Sequence, residues 1–129
     1  IDVGLMRKMS GLSTSVIAEG DRLFTEFKGA LTENYILQSI ISQFEETPRY
    51  WTSGNTAEVD FLLQFENQII PVEVKSDRHV KSRSLTLYRG EYNPPLAIRY
   101  SLQNLEYNNG LINIPLFLAD YTKNIIETI

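Results

Sequence analysis

Three residues able to do hydrolytic chemistry stand close together in the sequence: Asp60, Glu73 and Lys75. Their placement follows from the patterns around them. Val59, Phe61, Leu63 and Phe65 recur at every second position, and residues 68–75 are rich in Ile and Val, so both segments are expected to be strands. Glu66-Asn67 between them reads as a two-residue hairpin turn. Phe65 then faces Gln68, Asp60 falls opposite Glu73, and Glu58 falls opposite Lys75. A register slip of two keeps every side chain on its face. One face carries Val59, Phe61, Leu63, Phe65, Ile70, Val72 and Val74 and is the core side. The other gathers Glu58, Asp60, Glu73 and Lys75 in one patch.

Like charges opposite each other in a ladder are destabilising. Two carboxylates roughly 5 Å apart, at an effective dielectric near 20, repel by about 3 kcal/mol. Lys75 offsets part of this and a shared proton another part, but a divalent cation with oxygen ligands does so best. The plainer alternative is an exposed polar strand face whose charges are screened by water. Leu62, Ile69 and Pro71 share that face and point to partial cover instead. Glu33 is a third acid. Ile36, Leu37 and Ile40 follow it at i+3, i+4 and i+7, which puts it on or beside the apolar stripe of a helix. It either reaches solvent from the stripe's edge or points over the sheet at the Asp60/Glu73 pair.

The elements that must hold these residues follow from periodicity. Residues 21–46 carry Phe24, Phe27, Leu31, Leu37, Ile40, Ile41 and Phe44 at helical spacing, with Asp21 to cap the start and Pro48 beyond the end. Residues 1–20, interrupted by Gly11 and Gly20, offer only short helical turns at 5–9 and 15–18. Strands are expected at 49–52, 57–65 and 68–75, a helix at 81–92 and a strand at 96–100. Asn109-Gly110 marks a second hairpin joining 105–107 to 111–114, and Pro115 can start a last helix toward Ile129. Tyr35, Tyr50 and Trp51 are expected in the core or at a strand edge. The order is that of a mixed α/β (α+β) sheet domain.

At 129 residues the chain fits one domain with one core. It has 43% hydrophobic and 22% charged residues, which excludes wholesale disorder. The absence of Cys excludes a disulfide framework, a Cys-ligated zinc and thiol catalysis, and suits the cytoplasm. No apolar run approaches the ~18 residues of a membrane span, and no leader pattern opens the chain, so neither membrane nor export is expected. A start at Ile1 suggests a piece of something longer.

The net charge of −4 is unevenly spread. Residues 1–74 hold 5 basic and 11 acidic side chains, and residues 100–129 hold 1 and 3. Residues 75–99 hold six basic ones (Lys75, Arg78, Lys81, Arg83, Arg89, Arg99) against Asp77 and Glu91. That stretch is either a solvated helix face or an edge turned to phosphates.

Asp60, followed after twelve residues by Glu73-Val74-Lys75, resembles the signature of the PD-(D/E)XK nuclease superfamily, the restriction-endonuclease-like fold. The resemblance implies an αβββαβ core, here with an added hairpin and a C-terminal helix. It implies that Asp60 and Glu73 bind Mg²⁺ (or Mn²⁺), that Lys75 positions the attacking water or stabilises the transition state, and, as a weaker carry-over, that Glu33 of the preceding helix completes the site. Val59 stands where the superfamily's name has Pro, a departure the superfamily tolerates. A narrower resemblance rests on Asp2-Val3-Gly4-Leu5, the Phe27–Asn34 stretch, the Ala57–Phe61 stretch and the Ile70–Lys75 stretch. In that order they are similar to the uncharacterised C-terminal domain of prokaryotic AAA+-type ATPases, over about Asp2 to Phe117. This implies a covalently attached ATPase domain upstream, with residues 1–20 a remnant of the upstream region or linker and 21–129 the nuclease-like domain. The chain itself has no G-x-x-x-x-G-K-[ST] for ATP.

The expected function is therefore metal-dependent phosphodiester hydrolysis. Asp60 and Glu73 hold the cation, Lys75 stabilises developing charge, and Glu58 orients Lys75 or acts as an outer ligand. Arg78, Lys81, Arg83 and Arg89 contact the nucleic-acid backbone. The rival is an inactive nuclease-fold module that docks on or regulates the ATPase, its acids and lysine a structural ion-pair cluster. A Ser/His hydrolase fits poorly, because His79 is the only His and no G-x-S-x-G accompanies it; His79 reads as a surface or phosphate-contacting residue rather than a catalytic base.

Overall fold

A twisted run of short, β-branched segments needs partners on both edges and cover on both faces, and this chain supplies them in one sheet. The computed structural model describes residues 22–54, 57–76 and 82–129, the side chains of 22–27 excepted. The elements are α1 (Arg22–Ile41), β1 (Arg49–Thr52), β2 (Glu58–Phe65), β3 (Gln68–Val74), α2 (Arg83–Tyr92), β4 (Ala97–Ser101), β5 (Glu106–Asn108) and β6 (Leu111–Pro115). A 3-10 turn (Leu116–Tyr121) and α3 (Thr122–Thr128) close the chain. The strands form one six-stranded sheet in the order β1-β2-β3-β4-β6-β5. Pairing is antiparallel from β1 to β3, parallel across β3, β4 and β6, and antiparallel at the β5 edge. The mixed α/β architecture expected from the sequence is what forms. The short turns expected within 1–20, the Asp21 cap and the stripe positions Phe24 and Phe27 lie outside the described residues.

Both hairpins fall where the turn residues put them. The β2–β3 ladder pairs Phe65 with Gln68, Leu63 with Ile70 and Phe61 with Val72, the register inferred from a Glu66-Asn67 turn. Glu66 adopts φ 54° there. At the second hairpin Asn109 and Gly110 both have positive φ, 48° and 79°, as a type I′ turn requires.

The core lies on one face of the sheet. Phe61, Leu63, Ile70, Val72 and Val74 meet Ile98, Tyr100, Ile112 and Ile114, and Ile36 and Ile40 of α1 seal them. Ala119 and Ile126 complete the layer from the chain's end. The other face is covered by α2, which lies against β2 and β3 and buries Leu85 and Tyr88. Pro71 is fully buried on that side, so the face bearing the acids is partly covered, as its apolar members implied. Tyr35 packs on the core cluster, and Trp51 sets its ring edge-on to Tyr88 at 5.1 Å, a strand-edge role. Tyr50 is 66% exposed with its ring 5.9 Å from Phe61.

Two boundaries differ from expectation by more than two residues. Helix α1 ends at Ile41, five residues short of Glu46. Side chains take one of its last carbonyls: Ser39 C=O accepts from the Ser42 hydroxyl (2.9 Å) and from the Gln43 amide (2.7 Å), while Ile40 C=O accepts from the Gln43 N–H at 2.9 Å. Such local bonds end a helix that periodicity alone would continue. The final helix begins at Thr122 rather than after Pro115, which instead closes β6. The intervening residues wind as 3-10, and the Ala119 carbonyl is held by the Thr122 hydroxyl (2.6 Å) and the Gln43 amide (2.8 Å).

Candidate functional site

The β2–β3 ladder stops at Phe61–Val72, and the candidate residues sit just past the point where it stops. Asp60 is the next residue on β2. Its side chain takes over from the backbone ladder: Oδ2 accepts from the Val74 N–H at 2.7 Å. On its other side β3 pairs with β4, Glu73 standing beside Arg99, and the Lys75 N–H donates to Tyr100 C=O at 2.8 Å. The strands thus splay around Asp60 and Glu73. Lys75 follows immediately, half-buried, with Nζ 3.5 Å from Glu73 Oε1.

Glu73 is only 5% exposed, a burial that a carboxylate does not tolerate without partners. Oε1 has two, the Lys75 ammonium and the Ser82 hydroxyl, which donates to it. Oε2 is buried with no hydrogen-bond partner. Ser82 is the N-cap of α2, and its Oγ also accepts from the Leu85 N–H at 3.0 Å. One hydroxyl therefore starts the helix and holds the acid. Ser82 was missed in the sequence because the helix was expected to begin at 81. A Ser directly before the apolar positions Leu85 and Tyr88 is the capping signal that could have found it.

Burial pushes the Asp60 carboxyl up to about 7, and the charges of Glu33 and Glu73 push the same way. The Val74 N–H and Lys75 oppose the shift without cancelling it. Glu33, half-buried on α1, is also raised, by burial first and by Glu58 second, with Lys75 opposing. The four acids and the lysine therefore share one electrostatic neighbourhood. Glu58 is the outermost: exposed at the start of β2, its backbone N–H donates to Ser84 Oγ at 3.2 Å, tying the strand to α2.

Among the described residues no three acidic or His side chains converge closely enough to hold a metal ion together. The arrangement offers two carboxylates, Asp60 and Glu73, with Glu33 contributing field rather than completing a ligand set. Two observations fit a hard divalent cation to that pair: the orphaned buried Oε2 of Glu73, and an Asp60 carboxyl whose charged form is penalised by burial and by Glu33 and Glu73, a penalty that Lys75 and the Val74 N–H offset only in part and a cation would relieve further.

Of the basic residues expected at phosphates, Arg78 and Lys81 lie outside the described residues, as does His79. Arg83 is exposed near the start of α2. Arg89, half-buried, donates to the Asn109 carbonyl in the β5–β6 turn, and so has a structural duty besides any ligand contact.

The fold and site define a mixed α/β domain with a paired-carboxylate and lysine cluster where its central hairpin opens. The chain belongs to the family described as a domain of unknown function, DUF4143, which matches residues 28–118. That match takes in Glu33, the whole carboxylate cluster and the sheet through β6. Comparison with curated proteins finds no match.

Proposed function

We propose that this chain is a Mg²⁺- or Mn²⁺-dependent phosphodiester hydrolase domain of the PD-(D/E)XK type, acting on nucleic acid and attached to an AAA+-type ATPase in the cytoplasm. One observation carries the reading. Two carboxylates from neighbouring strands, Asp60 and Glu73, meet where the ladder opens, one of them with a buried oxygen that lacks a partner and a lysine two residues on. The order of helix, three strands, helix and strand supports it. Among the described residues no helix is long and apolar enough to cross a membrane.

The residues divide the labour. Asp60 and Glu73 would hold the cation, which when bound polarises a phosphate oxygen and makes water a better nucleophile. Ser82 and Lys75 fix Glu73 through Oε1 and leave Oε2 for the ligand. The Lys75 ammonium is then placed to stabilise negative charge developing on the phosphate. Calorimetry with Mn²⁺ tests the pairing: the wild type and Lys75→Ala should bind more tightly than millimolar, and Glu73→Gln should not. Absence of binding by the wild type would overturn the reading.

A second reading has its own observation. Lys75 is already paired with Glu73, Asp60 is bonded to backbone, and no third acid joins them among the described residues. A closed ion-pair cluster of this kind suits a module that docks on or regulates the ATPase. It requires that Mg²⁺ and Mn²⁺ leave the thermal stability unchanged.

A further inference from the structure

Beside the carboxylate cluster the second face of the sheet holds a cavity of about 550 Å³ between α2 and strands β4 and β6. Its charged lining is of one sign: Arg83, Arg89 and Arg99, with no acid. The rest is largely apolar, Leu85 at the floor and Leu87 and Leu111 at the walls, with Leu87 43% exposed to solvent. Ser82, the residue that holds Glu73, forms the end nearest the candidate site. Two of the guanidiniums are oriented by the fold. Arg89 is fastened to the Asn109 carbonyl, and Arg99 Nε donates to Asn113 Oδ1 at 3.1 Å. The same two arginines border a second cavity of about 330 Å³, lined also by Leu111, Asn108, Asn109, Asn113 and one acid, Glu106.

We infer that this pair of cavities is a binding groove for single-stranded nucleic acid, taking successive unpaired nucleotides with their phosphates on Arg83, Arg89 and Arg99. The inference rests on the proposed hydrolase reading for its substrate class and adds which form of substrate the groove admits. A volume of 550 Å³ is that of a small-molecule site and accommodates one nucleotide unit. Leucines beside guanidiniums suit a base with its sugar-phosphate, since flat apolar contact and cation contact are both needed. A duplex keeps its base faces stacked inside and can present only phosphates, sugars and base edges to such a groove, not a whole unstacked base. The exposed amides of Asn108 and Asn109 in the second cavity lie where base edges of the next nucleotide would come within hydrogen-bond reach, whereas the buried Asn113 amide is already bonded to Arg99, Ser101, Gln103 and Asn104. Continuity through Ser82 leads the strand toward Asp60 and Glu73.

The test is fluorescence anisotropy of the full chain with a labelled 20-nucleotide single strand and with the duplex of the same sequence, in chelator so that no cleavage occurs. The single strand should bind at least about tenfold more tightly than the duplex. Leu87→Asp and Arg83→Glu each should weaken single-strand binding by about tenfold and leave the melting temperature unchanged, both side chains being exposed. Arg83→Gln should lower the salt dependence by about one phosphate contact. Equal binding of duplex and single strand, or indifference to Leu87→Asp, overturns the groove. Binding of a phosphorylated peptide in preference to either nucleic acid overturns it as well. The two proposals fail separately: loss of metal binding leaves this anisotropy untouched, and a duplex-binding protein can still cleave.

Discussion

The Ser82 hydroxyl and the Glu73 carboxylate join the start of α2 to the end of β3: Ser82 donates to Oε1 while accepting from Leu85 N–H at 3.0 Å. Ser82→Ala should therefore lose more than a helix cap. The cap is worth about 1 kcal/mol and the hydrogen bond lost by the buried carboxylate, which keeps only Lys75, about 1–3 more, so a loss of about 2–4 kcal/mol is expected in denaturant unfolding. Ser82→Asp separates the two duties. It keeps the cap but sets a second carboxylate against Glu73, so its deficit should shrink when Mg²⁺ is added, whereas that of Ser82→Ala should not.

The acid cluster gives stability an unusual pH dependence. Asp60 titrates near its ordinary 3.8 when unfolded and at about 7 when folded. Between these values the folded chain binds the extra proton, so stability should fall as pH rises, by up to about 4 kcal/mol from this group. The raised Glu33 carboxyl adds to the fall in the same direction. Urea unfolding in chelator at pH 5 and pH 8 captures the part above pH 5, about 3 kcal/mol, and Asp60→Asn should flatten the slope. A rise in stability over that window would contradict the buried, mutually repelling acids.

Added cation should act where the proton no longer does. Mg²⁺ is expected to raise the melting temperature at pH 8 more than at pH 5, because at the lower pH it must displace the Asp60 proton. Glu73→Gln should abolish the Mg²⁺ effect while leaving the unliganded fold within about 1 kcal/mol of wild type, since its Oε1 still accepts from Ser82.

The β5–β6 turn is positioned tightly. Gly110 sits at φ 79°, and a Cβ there would lie 3.1 Å from the Pro95 carbonyl oxygen. Gly110→Ala should cost about 1–3 kcal/mol by thermal unfolding and disturb the turn to which Arg89 is fastened.

Much of this was legible in the sequence, for reasons that differ by element. The β2–β3 hairpin was, because alternation fixes faces and a two-residue turn fixes register; Asp60 and Glu73 were thereby placed together. What alternation does not show is that the ladder would part at Phe61 and hand the Val74 N–H to the Asp60 side chain. Asp60 and Glu73 are consequently neighbours across an opening rather than a paired couple. The early end of α1 was hidden because Ile41 and Phe44 continue the apolar spacing while Ser42 and Gln43 turn back to bond Ser39. The α2 groove was illegible, since Arg99 on β4 and Leu111 on β6 meet Leu87 only through the parallel crossover.

Cleavage itself tests the central claim most directly. A labelled oligonucleotide incubated with Mg²⁺ should be cut by the wild type, not in chelator, and at least about a hundredfold more slowly by Lys75→Ala. Cutting at the same rate by Lys75→Ala, or no cutting by the wild type on either single or double strands, would contradict the account.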